Sequence, residues 1–256
     1  MRFPWTRFAI GHGELAELVD AAAQTDTATD PLERIPYSEE KMLLPELAEL
    51  YQQNGDLVGW ISIADTNINY PVMQSVNEPN FYLKHGFDKE YSDYGCPYVQ
   101  EDCDVQEPSD NLVIYGHHMS NGSMFAHLEK FKNKDFWSEH RMITFNILTD
   151  KQEYEIVAVF RTVVYTDSPE AFKFYRFIDA ESANEFDDFI AKSKELSFYD
   201  TGVTAEYGDK LITLSTCEYS RNNSRLVVVA KRITEDGGAD AAKTHAEATA
   251  EGERPN

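Results

Sequence analysis

No stretch of this 256-residue chain approaches the roughly 18 consecutive apolar residues of a membrane-spanning helix. The opening Met1–Ile10 carries Arg2 and Arg7 but no long apolar run, so it does not read as a signal peptide. Positive charge is scarce: 23 Lys and Arg stand against 45 Asp and Glu, for a formal charge of −22. Such a chain repels a phosphate backbone and shows no basic cluster to overcome that, which argues against nucleic acid as a partner. Cysteine is nearly absent, with only Cys96, Cys103 and Cys217. An odd count leaves at least one thiol free in a monomer. Cys96 and Cys103 lie close enough in sequence to pair in an oxidising compartment; the plainer reading makes all three small buried apolar residues. The 42% of hydrophobic and 12% of aromatic residues suffice for a core, and the length suits one domain with tails, or at most two small domains.

Leu15, Leu18, Val19 and Ala22 recur at i, i+3, i+4 and i+7 and predict an amphipathic helix. Residues 23–40 are polar, contain Pro31 and Pro36, and read as a connection. A second helix is expected over 41–53, with Leu43, Leu44, Leu47, Leu50 and Tyr51 inward and Asn54-Gly55 as its stop. From Leu57 the signal turns to strands. Leu57–Ile63 and Ile68–Met73 flank a hairpin turn at Asp65, Thr66 and Asn67. Asn111–Tyr115 is a short apolar run, and Met142–Leu148 alternates Ile143, Phe145 and Ile147 against Thr144 and Asn146. Glu153–Val164, Lys210–Thr216 and Arg225–Ile233 complete the strands, a pattern of barrels and sandwiches. Between them, about 166–200 reads as a helical insertion, opened by the capping box Ser182-Ala183-Asn184-Glu185 and continued by Phe186, Phe189 and Ile190. Residues 234–256 are rich in Ala, Glu, Asp and Gly without aromatics, and are expected to be a disordered acidic tail.

Three chemically capable residues sit at strand boundaries. His117 follows Asn111–Gly116, Cys217 ends Lys210–Thr216, and Arg225 opens Leu226–Ala230. A rigid scaffold presents functional groups at such places. A thiolate is the reactive form of cysteine, and a neighbouring cation favours it. An imidazole can take the thiol proton and later hand one to a leaving amine. A guanidinium keeps its proton, so it serves as a fixed oxyanion donor and never as the base. Taken singly, each residue has a plainer reading: a hydrogen-bonded structural His, a surface-paired Arg, a core Cys. The acidic group Glu101, Asp102, Asp104 and Glu107 offers hard oxygens of the kind calcium takes, but its spacing matches no loop motif. It reads as solvated surface, and no metal is assigned.

Leu214-Ser215-Thr216-Cys217, followed eight residues later by Arg225 and Leu226–Lys231, resembles the signature of sortases. Ile114-Tyr115-Gly116-His117 with Met124, Phe125 and Leu128 resembles the class B branch, as do Val58–Ile61, Tyr70–Val72, Phe81–Leu83 and Tyr91-Ser92. The resemblance spans about 41–233 and implies three parts: an N-terminal helix and connection at 1–40, a catalytic domain at 41–233, and the tail. It also implies a mainly β fold, a closed eight-stranded barrel with two N-terminal helices and a helical insertion before the cysteine strand.

The activity implied is that of a cysteine transpeptidase without cofactor. Cys217 is the expected nucleophile, His117 the general acid/base and Arg225 the oxyanion-stabilising cation. Tyr115, Ser215, Thr216, Glu218 and Leu83 are expected along the substrate groove, and His118 to point away from it. Class B relatives often show Asp-Asn before the Tyr-Leu pair; here Asn77 or Asn80 stands as the replacement. The implied partners are the C-terminal sorting signal of a surface protein, cut at a Thr–Gly-like or Thr–Asn-like bond, and an amine of a cell-wall precursor or a pilin lysine. The implied place is the outer face of the membrane in a Gram-positive cell, with a membrane anchor expected ahead of residue 1. Two alternatives stay open: a hydrolytic cysteine endopeptidase, and a catalytically silent surface scaffold.

Overall fold

The structure is a computed structural model. It describes residues 42–164, 171–218 and 223–234; of Cys217 and Glu218 it describes the backbone. The expected helix at 15–22 and the acidic tail lie outside the described residues.

Eight strands close into one barrel in the order β1-β2-β3-β4-β7-β8-β6-β5. They are β1 (Leu57–Ser62), β2 (Asn69–Met73), β3 (Tyr98–Val99), β4 (Asn111–Tyr115), β5 (Met142–Ile147), β6 (Glu153–Val163), β7 (Leu211–Glu218) and β8 (Ser224–Arg232). Pairing is antiparallel except for β2–β3 and β4–β7, which are parallel. The barrel leaves no open edge, so nearly continuous apolar strands such as β8 meet side chains rather than water. Val227, Val228, Val229 and Ala230 are fully buried, because one face fills the lumen and the other is covered. β5 instead alternates as its sequence predicts: Ile143, Phe145 and Ile147 are buried while Thr144 and Asn146 are half-buried. At the β1–β2 turn Asp65 takes φ 55°, and the Thr66 hydroxyl donates to the Ile63 carbonyl at 2.8 Å.

Helix α1 (Pro45–Gln53) begins four residues later than periodicity suggests. Pro45 explains the shift, since its ring disfavours helical backbone at the residue before it, and Leu44 is extended. Leu43, Leu47 and Leu50 pack against Leu57, Trp60, Tyr82, Phe87 and Cys96, a second apolar cluster beside the main core. A short helix α2 (Lys134–Glu139) follows a 3₁₀ segment over Phe125–Lys132. Helix α3 (Ala183–Leu196) is the expected insertion helix. Its Ser182 hydroxyl accepts from Glu185 N, while the Glu185 carboxylate reaches back to Glu181 N, one residue before the reciprocal position. Phe186, Phe189 and Ile190 bury its apolar face over Phe177 and the barrel.

Candidate active site

The parallel β4–β7 pair and the antiparallel β7–β8 pair set the geometry. Tyr115 on β4 sits level with Ser215 on β7, and Gly116 N donates to Ser215 O at 3.1 Å. The ladder ends there, and His117 leaves β4 beside the end of β7 that carries Cys217. Across the other neighbour, Cys217 is the direct partner of Arg225. Neighbouring strands lie about 4.8 Å apart, so the backbones of Cys217 and Arg225 run side by side.

A cleft of about 300 Å³ opens at this rim. Of the residues expected from sequence, Leu83, Tyr115, His117, Ser215, Thr216 and Arg225 line it. The side chains of Cys217 and Glu218 fall outside the described residues, and their backbone ends β7 at the cleft. Sequence reasoning missed Tyr98, Gln100, Glu101 and Tyr175, which also line it. Tyr98 and Gln100 come from the two-residue strand β3 and its exit, and Tyr175 from a 3₁₀ turn (Phe174–Arg176). The Tyr115 hydroxyl donates to Gln100 Oε1 at 2.8 Å, and the Tyr98 hydroxyl donates to Asn80 Oδ1 at 2.8 Å. Of the two asparagines considered, Asn80 thus faces the cleft, whereas Asn77 is exposed outside it.

His117 is held at three points. Its Nε2 lies 2.7 Å from the Leu83 carbonyl. A carbonyl only accepts, so Nε2 carries a proton, and Nδ1 is the basic atom of the neutral ring. Its own carbonyl accepts from Phe125 N at 2.8 Å. Gly116 before it packs so close to Phe125 that an added Cβ would stand 2.6 Å from the ring. His118 points elsewhere: its Nδ1 is 3.9 Å from Glu129, and its backbone bridges Met124.

The other two thiols are unsuited to chemistry. Cys96 and Cys103 are free and buried, and burial pushes both thiols up to about 12. Cys103 Sγ sits between the Asn111 carbonyl and Val113 N, each at 3.5 Å. The pairing considered from sequence is not made: Cys103 belongs to the barrel core and Cys96 to the α1 cluster. Among the described residues no three His, Cys, Asp or Glu gather as a metal site. Asp104 Oδ1 instead accepts from Gln106 N and Glu107 N, closing its own turn.

The wall carrying Tyr175 is tied to the start of β4. Asp110 accepts from Ala180 N at 3.0 Å and from Lys210 Nζ at 2.9 Å. Asp179 in return accepts from Asp110 N and from the Ser109 hydroxyl. Asn111 Nδ2 donates to the Phe177 carbonyl, while its Oδ1 accepts from the buried Thr213 hydroxyl. One side of the cleft is therefore set by β4 itself.

The family model of the sortase domain matches residues 61–233. Sortase B of Listeria monocytogenes serovar 1/2a is 35% identical over 193 residues, which cover 74% of this chain and 74% of that protein. A Staphylococcus aureus sortase B–substrate complex superposes with a TM-score of 0.73 at 26% identity, covering 88% of this chain and 95% of the other. A sortase B complexed with triglycine matches with the same TM-score and identity, over 88% and 96%.

Proposed function

This chain belongs to the sortase family, in its class B branch, and is a cysteine transpeptidase; from that premise we propose which of its residues carry the reaction and on what. Cys217 is the nucleophile, His117 the general acid/base and Arg225 the oxyanion donor. The observation that carries this reading is that Cys217 pairs directly with Arg225 across β7 and β8, while His117, two residues past the end of β4, lines the same cleft as Arg225. The Cys217 thiol loses its proton to His117, and the thiolate attacks the carbonyl of a Thr–Gly-like or Thr–Asn-like bond in a sorting signal. Arg225, permanently charged, meets the developing oxyanion. The imidazolium then protonates the departing amine, leaving a thioacyl enzyme. The Leu83 carbonyl serves both states of His117, because it accepts from Nε2–H whether or not Nδ1 is protonated. Leu83, Tyr115, Ser215, Thr216 and Glu218 hold the signal, together with Tyr175 and Gln100.

A solved sortase B binds its substrate and another binds triglycine. By analogy this chain takes a sorting-signal peptide and passes it to an amine, which we assign to a cell-wall precursor or a pilin lysine. We place the reaction at the outer face of the membrane, on a catalytic unit running over 41–233. None of the described helices is long and apolar enough to cross a membrane.

The test is mass spectrometry of the protein with Leu-, Asn- or Ser-Pro-x-Thr-Gly peptides, with triglycine, a diamino-acid peptide or no amine alongside. A thioacyl adduct on Cys217 and an amine-joined product are expected. Cys217→Ala should abolish both, and Arg225→Lys should lose most activity, since a point charge cannot reproduce the guanidinium fork. Full turnover by either variant would refute the assigned roles.

A further inference from the structure

The cleft explains where the acyl half of the substrate lies. It leaves open where the acceptor amine approaches, although that amine must reach the thioester carbon beside His117. Two segments flank His117 outside the cleft lining: the loop Lys84–Tyr94 and the turn Met119–Ser123 that follows the histidine. The loop is a built structure. Gly86 N donates to Glu90 O at 2.9 Å, Ser92 N to Lys84 O at 2.8 Å, and His85 bridges Tyr91. Phe81 stacks on His85 with ring centroids 3.9 Å apart, and Tyr91 stands edge-on to His85 at 6.5 Å. Asn121 Nδ2 donates to the Tyr94 hydroxyl at 3.2 Å and joins loop to turn.

This rim is charged and solvated, with Lys84, Asp88, Lys89, Glu90 and Asp93 exposed, and it carries two exposed tyrosines. Tyr91 is 69% exposed and Tyr94 41%, among the largest exposed apolar side chains described. Asp93 stands between them in sequence. Its Oδ1 accepts from Lys84 Nζ at 3.0 Å and from the Tyr91 hydroxyl at 2.8 Å. Both bonds fall on one oxygen, and no other bond to Asp93 is made among the described residues. The Asp93 carboxyl is held low first by Lys84 and then by the Tyr91 hydroxyl; Lys84, which begins this loop, directly follows Leu83, whose carbonyl bonds His117. A carboxylate and two aromatic faces beside the base match a primary ammonium group on a short peptide. The chain's charge of −22 draws such a cation in.

The geometry points to the Tyr91–Asp93–Tyr94 rim, with Asn121, as the binding site of the acceptor, an amine-bearing peptide whose cationic group docks on Asp93 before transfer. The inference rests on the proposed transpeptidase reading. Once docked, the amine gives up one proton to solvent and its neutral nitrogen attacks the thioester carbon. The C–N bond forms as the C–S bond breaks, the second amine proton passes to His117 Nδ1, and Cys217 recovers its thiol proton from there.

The experiment separates acylation from transfer. Wild type, Asp93→Asn, Tyr94→Ala and the double variant are acylated with a sorting peptide. Hydrolysis without amine and the KM for triglycine and for a diaminopimelyl peptide are then measured. The expected result is unchanged acylation and hydrolysis, with the amine KM raised about 3- to 10-fold in each single variant and more in the double. Unchanged amine KM in every variant overturns the inference. An equal loss of hydrolysis and transfer in Asp93→Asn also overturns it, because Asp93 would then act through His117. Failure of wild type to acylate at all refutes the transpeptidase assignment instead, a result distinct from both.

Discussion

Replacing Gly116 by alanine tests how His117 is held. An added Cβ would lie 2.6 Å from both Cγ and Cδ2 of Phe125 and 3.0 Å from its Cδ1. Carbon atoms rest at about 3.5–4.0 Å, so ring and backbone must part by roughly 1 Å. The ring has little room to retreat: Phe125 is fully buried in the barrel core. Its backbone N also donates to the His117 carbonyl, so any movement of residue 125 pulls on the histidine. Overpacking of this kind costs about 1–3 kcal/mol. For a domain of this size that lowers Tm by roughly 2–4 °C per kcal/mol. A shift of about 1 Å in a catalytic base costs on the order of 10²-fold in kcat/KM. Gly116→Ala should therefore lose activity far beyond its loss of stability, read by peptide cleavage kinetics and thermal melting on the same sample. Adding Phe125→Leu makes room for the methyl group and should recover part of the activity, a non-additivity expected of touching residues. Cleavage within about twofold of wild type, with Tm unchanged, would refute the claim that this contact positions His117.

Among the described residues the buried hydroxyls of Ser215 and Thr216 find no partner; Thr216→Val should raise Tm by a few degrees, since an unpaired buried hydroxyl costs about 1–3 kcal/mol. A lower Tm would mean the hydroxyl is bonded, and a simultaneous loss of peptide turnover would assign it to the substrate. Asp110→Ala releases Ala180 N and Lys210 Nζ and loosens the wall bearing Tyr175; the KM for the sorting peptide should rise severalfold with kcat less affected, and an unchanged KM would refute the clamp. Cys96 and Cys103 titrate near 12 in the folded protein against an ordinary 9.0, because burial disfavours the thiolate. Their protons stay on in the native state while an unfolded chain loses its own. Stability is thus fully present below about pH 9 and falls as pH rises toward 12, by up to roughly 1.4 kcal/mol per pH unit for each thiol. Denaturant unfolding between about pH 8 and 10.5 should show that slope, and a flat profile would mean the thiols are not buried.

Strands long enough to alternate or to run continuously apolar were legible from the order of apolar and polar residues. β4 matches its expected bounds, and β5, β6 and β8 fall within one residue of theirs. β3 was missed because two residues after Pro97 carry no period; only closure of the barrel makes Tyr98 and Val99 a strand. Helix α2 was missed for the same reason: six residues span too few turns for a stripe, and Trp137 alone is buried. In the site, the three residues proposed to react stood out because each interrupts or ends an apolar run. Tyr98, Gln100 and Tyr175 gave no such signal. Each sits in a short irregular segment, and they meet only because β3 pairs with β4 and because Asp110 and Asn111 hold the 177–180 segment against the start of β4.

The chain order of the proposed catalytic residues follows from the strand pairing. β4 and β7 run parallel, so both reach the same rim with their C-terminal ends, one delivering His117 and the other Cys217. β8 returns antiparallel to β7, so it starts at that rim, and its second residue is Arg225. Cys217 and Arg225 are therefore direct backbone partners, whatever the rest of the barrel does. His117 has no such tether. A parallel pair needs a crossover, and here it runs from Gly116 to Lys210 and contains β5, β6, α2 and α3. The imidazole must therefore be placed by local contacts, and these are the Leu83 carbonyl, Phe125 N and the Gly116–Phe125 approach. The Cys–Arg half of the site is secured by backbone pairing and the His half by side-chain and loop packing. Substitutions that loosen packing away from the cleft should accordingly reach catalysis through His117 before they reach Cys217 or Arg225.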